Sequence, residues 1–122
     1  MRGTLPAAVL AVFLCTPLAA QAARNELILF ETPGCVYCKA WARDVGPGYA
    51  GSPSGSVLPL RRVDLSRGVP SDLRDLAAVR GVPTFVVRAC NREVTRFSGY
   101  SGKDRFYALL DAAVKTVRRL GC

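Results

Sequence analysis

The 122-residue sequence contains no histidine, and its one methionine stands at position 1. A soft-ligand metal site is thereby left to cysteine. There is a single C-x-x-C pair, so a closed site would need Cys90 or Cys122 brought across the domain. A C-x-x-C metal-binding or metal-delivery protein is therefore the weaker alternative, and no metal is expected. Acidic residues are scarce, nine against 17 Lys and Arg, for a formal net charge of +8. The basic residues are scattered rather than gathered into a stripe, which speaks against a nucleic-acid partner. The excess charge reads first as a solvated surface, and second as a means of steering an acidic protein partner. Internal repeats and low-complexity tracts are absent, and no apolar run reaches the ~20 residues of a membrane-spanning helix.

The stretch that comes nearest is at the start. Arg2 supplies a positive n-region, Leu5 to Leu18 is largely apolar, and Ala20-Gln21-Ala22 fits the small-x-small rule for cleavage after Ala22. Residues 1–22 are thus expected to be a cleaved secretory signal peptide, leaving 23–122 as one small domain in the periplasm. Cys15 lies inside this segment behind Leu14, where a lipoprotein signal requires Gly or Ala, so no lipid anchor is expected. Cleavage removes only Arg2 from the charged residues and leaves an even set of cysteines, Cys35, Cys38, Cys90 and Cys122. An exported chain can hold these as disulfides, because the compartments beyond the inner membrane are oxidising.

Leu27 to Trp41, LILFETPGCVYCKAW, organises the rest. Leu27–Phe30 reads as a buried strand, and Thr32, Pro33 and Gly34 turn the chain into a helix that begins at Cys35. Free amides and the positive dipole end at a helix start favour the thiolate, the nucleophilic form of cysteine. Cys38, three residues on, shares that face and can close a disulfide. The helix is expected to turn Val36, Tyr37, Ala40, Trp41 and Val45 inward, and Gly46-Pro47-Gly48 to stop or kink it. Residues 50–56, AGSPSGS, read as an exposed loop. A second strand is expected within Leu58–Leu65, and a short helix from Ser71 and Asp72 through Val79, ended by Gly81.

Gly81-Val82-Pro83-Thr84-Phe85-Val86-Val87 is the second informative stretch. Its proline suits the first residue of a strand, where a missing N–H costs least. Base rates favour a trans bond, but the upstream C-x-x-C reverses those odds. Thr84–Ala89 and Glu93–Tyr100 are expected to form an antiparallel hairpin around Cys90-Asn91-Arg92. Phe106, Leu109, Leu110, Ala113, Val114 and Val117 follow helix spacing. Ser101 with Asp104 reads as the cap, and Arg118 and Arg119 suit the C-terminal end.

The resulting order, β-α-β-α-β-β-α, is an α/β architecture with a mixed four-stranded sheet covered by helices, the minimal thioredoxin fold. C-V-Y-C after a strand, V-P-T ahead of the hairpin and the closing amphipathic helix resemble thioredoxin-like proteins over the whole of 23–122. More narrowly, PGCVYCKAW, GPGY at 46–49, LPLRRVDL at 58–65, VPTFVV at 82–87 and FSGYSGKDRFYALL at 97–110 resemble the SoxS-type periplasmic thioredoxins of bacterial sulfur oxidation.

The resemblance implies a thiol–disulfide oxidoreductase in which Cys35 attacks and Cys38 resolves, the pair being a redox-active disulfide with no other cofactor. Pro83 would be a cis proline facing the pair, with Val82, Pro83 and Thr84 on the substrate edge. Val36 and Tyr37 would tune the thiolate. Neither is cationic, which argues against an extreme oxidant. Many thioredoxins carry a buried carboxylate where this chain has Leu29. Glu31 is the nearest acid, either a proton relay for Cys38 or a half-exposed strand end. Tyr37 and Trp41 are either packing or recognition residues, and Tyr100 is expected as a surface contact. In this topology Cys90 and Cys122 fall at the end remote from the active site. They are expected to form a structural disulfide that ties down the C-terminus, with two separate thiols as the alternative.

The implied partners are a protein disulfide, with a sulfur-carrier protein as one candidate, and a membrane thiol transporter as electron donor. The protein itself is expected to be a monomer. A disulfide oxidase or isomerase shares every one of these motifs and remains the alternative.

Overall fold

A computed structural model describes Gly3 and residues 25–122. Apart from Gly3, the expected signal segment 1–22, with Cys15 and the cleavage site, lies outside the described residues. The chain forms β1 (Glu26–Glu31), α1 (Val36–Asp44), α2 (Gly46–Tyr49), α3 (Pro53–Val57), β2 (Leu60–Asp64), β3 (Thr84–Ala89), β4 (Arg92–Ser98) and α4 (Lys103–Leu120). The sheet runs β2-β1-β3-β4. β1 and β2 are parallel, and the other two pairings are antiparallel. This is the mixed sheet of the minimal thioredoxin fold.

β1 is apolar at every position from Leu27 to Phe30 because both faces of the sheet are covered. Leu27 and Leu29 join Phe85, Val87 and Ala89 in the larger core, under Trp41, Tyr49, Phe106, Leu110, Ala113, Val114 and Val117. Ile28 and Phe30 join Val63, Leu73 and Val86 in a smaller core on the opposite face. Trp41 is central to the first, with ring centroids 5.7 Å from both Phe85 and Phe106. Burying a side chain of this size contributes roughly 2–3 kcal/mol. Among the described residues no helix is long and apolar enough to cross a membrane.

Three expectations about local structure need correction. The Ser- and Gly-rich stretch 50–56 is not all loop. Ser52 caps α3 by accepting from the Gly55 amide at 2.9 Å, Pro53 occupies the first turn, and the buried Ser54 hydroxyl donates to Asp111 at 2.7 Å. Gly55 is required there, since a Cβ would stand 1.9 Å from the Tyr49 carbonyl oxygen. The helix expected from Ser71 through Val79 is only one 3-10 turn, Ser71–Leu73. The Arg96 guanidinium donates to the Ala77 and Ala78 carbonyls at 3.1 and 3.3 Å and fastens the rest of this segment to β4. Gly46-Pro47-Gly48 does stop α1, as expected, and it begins a separate turn, α2, with proline in its first turn. Finally, Gly102 rather than Ser101 stands at the N-cap of α4, with no side-chain cap hydrogen bond.

Candidate active site

The pair of cysteines sits where β1 hands over to α1. Cys35 is the N-cap of α1, and its sulfur accepts the Cys38 amide at 3.1 Å. Its carbonyl accepts the Lys39 amide at 3.1 Å, closing the first turn. Cys35 is therefore placed where the unpaired amides of a nine-residue helix converge, an environment that stabilises negative charge on sulfur. Cys35 is half-exposed, whereas Cys38 is buried behind it. The two are disulfide-bonded, with Cα atoms 5.2 Å apart. An accessible sulfur in front of a buried one gives an incoming group one target and leaves the second sulfur free to close the cycle.

Val36 and Tyr37, expected to face inward, do not. They are 73 and 62% exposed, because the face of α1 that meets the sheet is set by Cys38, Trp41 and Val45, with Ala40 half-buried. The two residues between the cysteines thus form an apolar rim around Cys35. Trp41 is wholly buried, so its part is packing rather than recognition.

On the neighbouring loop the Val82–Pro83 peptide bond is cis. Pro83 is buried and Val82 half-exposed, just ahead of the ladder that begins at Thr84. Thr84, expected on the substrate edge, is itself buried. Its hydroxyl donates to the Gly81 carbonyl at 2.6 Å and lies 2.9 Å from the Ser98 hydroxyl, so it braces the turn from beneath. The Gly99 amide donates to the Pro83 carbonyl at 2.8 Å and ties this turn to the end of β4.

Glu31 is engaged. Both its oxygens accept from Arg62, at 2.7 Å each, in a bidentate pair on adjacent strands of the sheet. Leu29 is fully buried in the larger core. Tyr100 is 9% exposed rather than a surface contact. Its hydroxyl donates to Asp44 at 3.0 Å, and burial together with that carboxylate pushes its pKa up to about 12. Sequence spacing gave no sign of this bond, which joins the end of α1 to the segment before α4 across 56 residues.

At the far end of the sheet, Cys90 is disulfide-bonded to Cys122, with Cα atoms 5.5 Å apart. Cys90 and Asn91 are the two central residues of the β3–β4 turn, with φ of 54° and 61°, and Cys122 follows Gly121, whose φ of 66° ends α4. Among the described residues no three His, Cys, Asp or Glu side chains gather as a metal-holding group.

No protein-family model matches the sequence, and no curated protein matches it. Solved structures do. The periplasmic thioredoxin SoxS from Paracoccus pantotrophus, in its reduced form, is 33% identical, with a TM-score of 0.70 over 75% of this chain and 97% of its own. A thioredoxin of Malassezia sympodialis (Mala s 13) shares 22% identity and a TM-score of 0.54 over 76% of each chain, a likeness of fold. An extended likeness to SoxS, combined with a C-x-x-C pair at the start of α1, places this chain in the thioredoxin-like family of thiol–disulfide oxidoreductases.

Proposed function

We propose that the chain is a periplasmic reductant of disulfides or thiol adducts on a partner protein, exported by residues 1–22. The observation that carries this reading is its likeness to the periplasmic thioredoxin SoxS along nearly that protein's full length. With that likeness comes a sulfur-carrier protein as candidate partner and a membrane thiol transporter as candidate source of electrons.

In the proposed cycle the Cys35 thiolate attacks a partner sulfur. A Cys35–partner disulfide forms as the partner's own sulfur–sulfur bond breaks, and the leaving thiolate takes up a proton. The partner lies extended against Val82, whose backbone precedes the sheet ladder and is open to an added strand. Cys38 loses its proton and attacks Cys35, re-forming the internal disulfide and releasing the partner as a thiol. Two electrons pass from this chain to the partner, and the cysteine pair is the only redox group required. Glu31, held by Arg62, acts as a fixed charge of the strand end rather than as the proton carrier.

Equilibration of residues 23–122 against a thiol buffer, with Cys90 and Cys122 intact, tests the direction of flow. A potential near about −270 mV supports a reductant, and one near about −120 mV overturns it in favour of disulfide insertion. Export is checked separately. Residues 1–22 fused to a reporter that is active only outside the inner membrane should yield signal, and a silent fusion rejects the periplasmic placement.

A further inference from the structure

Beside the cysteine pair lies a cleft of about 370 Å³, walled by Tyr37, Phe97, Tyr100, Arg105 and Leu109 over a floor that includes Gly99. Its position ties it to the chemistry. Tyr37 stands between the two cysteines, and Gly99 is hydrogen-bonded to the Pro83 carbonyl, so the cleft touches both halves of the site. Its floor is bare, since a Cβ on Gly99 would meet nothing within 4 Å. A segment laid along Val82 with its sulfur at Cys35 brings a flanking residue over this floor.

The cleft also has one sign of charge. Arg105 is the one charged residue on its lining, and it makes no ion pair among the described residues. Arg43 is paired with Asp44, whereas Lys103, two residues before Arg105 in the chain, makes no ion pair among the described residues either. The Tyr100 hydroxyl is already committed to Asp44, and Asp104, next to Arg105 in the chain, is not on the lining. An aromatic and aliphatic wall with one uncompensated guanidinium suits a carboxylate on a short stem.

We propose that this cleft receives the residue flanking the partner's reactive sulfur, and that Arg105 selects an acidic side chain there. The occupant is an extended, acidic segment of a partner protein, in keeping with the chain's formal charge of +8. Arg105 is a specificity residue, and the sulfur chemistry does not pass through it. The inference rests on the oxidoreductase reading above.

The test uses synthetic peptides with one cysteine held as a mixed disulfide with 2-mercaptoethanol, and with Glu, Gln or Lys on either side of it. The rate of peptide-thiol release by the reduced protein is measured. On one flank the Glu peptide should react about three- to fivefold faster than the Gln peptide, the scale of one exposed ion pair, and salt should erase the difference. Arg105→Ala should abolish the preference, and Arg105→Glu should transfer it to the Lys peptide. Equal rates for Glu and Gln peptides, or a Glu preference that survives Arg105→Glu, would overturn the inference. The Gln peptide separates the two readings. If the wild-type protein releases no thiol from it, the oxidoreductase reading falls and takes the inference with it, whereas equal release from both peptides defeats the inference alone. Should Arg105→Glu fail to fold, the wild-type salt dependence decides, and a flat response is a refutation.

Discussion

The two ends of the sheet each carry a disulfide, and the same bond does different work at each. At one end Cys35 and Cys38 are three residues apart on one helical turn, at the other Cys90 and Cys122 are 32 apart and join a hairpin tip to the end of α4. Loop-closure entropy favours the longer loop, roughly 4 kcal/mol against roughly 2, so opening the short loop costs the fold less. Surroundings reinforce the contrast. Cys35 has a helix end to stabilise its thiolate and an exposed rim around it, while the far-end pair is set into chain reversals. A reactive disulfide and an anchoring one are thus separated by the length of a strand.

The comparison breaks most directly at Cys35. Cys35→Ser should lower disulfide reduction by at least about a thousandfold, because a hydroxyl at this position is no thiolate, while the oxidised protein loses no more than about 2 kcal/mol of stability with the short loop. Cys38→Ser should instead accumulate the mixed disulfide with the partner, visible by mass spectrometry. At the far end the double variant Cys90→Ser/Cys122→Ser should lose about 3 kcal/mol of stability in chemical denaturation, yet retain its peptide-reduction rate within about twofold. A parallel loss of activity would erase the distinction between the ends. Smaller is the effect of Tyr100→Phe, which removes the bond to Asp44 at the reactive end. A loss of about 1 kcal/mol is expected, with the half-exposed Asp44 carboxylate free to hydrate.

Smallest is the titration of Asp72. The Arg61 guanidinium holds its carboxyl down from 3.8 to about 2. Its folded value lies below its unfolded one, so the stabilisation is present above pH 3.8 and is lost as pH falls toward 2. Solvent exposure keeps it under about 1 kcal/mol, and Asp72→Asn should flatten the acid limb of a melting-temperature profile in that window.

The reactive end was the more legible in sequence, because its chemistry is local. C-V-Y-C follows an apolar strand, and V-P-T opens a β-branched one. The periodicity of α4 likewise survives in any context. What escaped depended on partners distant in the chain. Tyr100 reads as a surface residue until Asp44 is beside it, and Thr84 reads as a substrate contact until Gly81 and Ser98 take its hydroxyl. Residues 50–56 share their composition with a loop because Ser, Pro and Gly are also the residues that start a helix and let another backbone pass close. The helix expected from Ser71 had its start and stop residues, yet the chain past Leu73 leaves the helical path and is held to β4 by Arg96 at the Ala77 and Ala78 carbonyls. Val36 and Tyr37 were misplaced for a simpler reason. Both lie in the first turn, where helical spacing alone does not say which face meets the sheet.

The unequal cover of the two sheet faces has a further consequence. Among the described residues the core cluster on one face has fifteen buried members and that on the other five, where the cover is the largely irregular chain from 65 to 83. Local opening follows the thinner cover, so backbone amides in that chain should exchange with deuterated solvent well before those of β1 and β3, which sit in the middle of the sheet. Val82 lies at the end of the exchanging segment, and Cys35 does not. The surface proposed to grip a partner can therefore breathe while the sulfur proposed to attack it stays fixed.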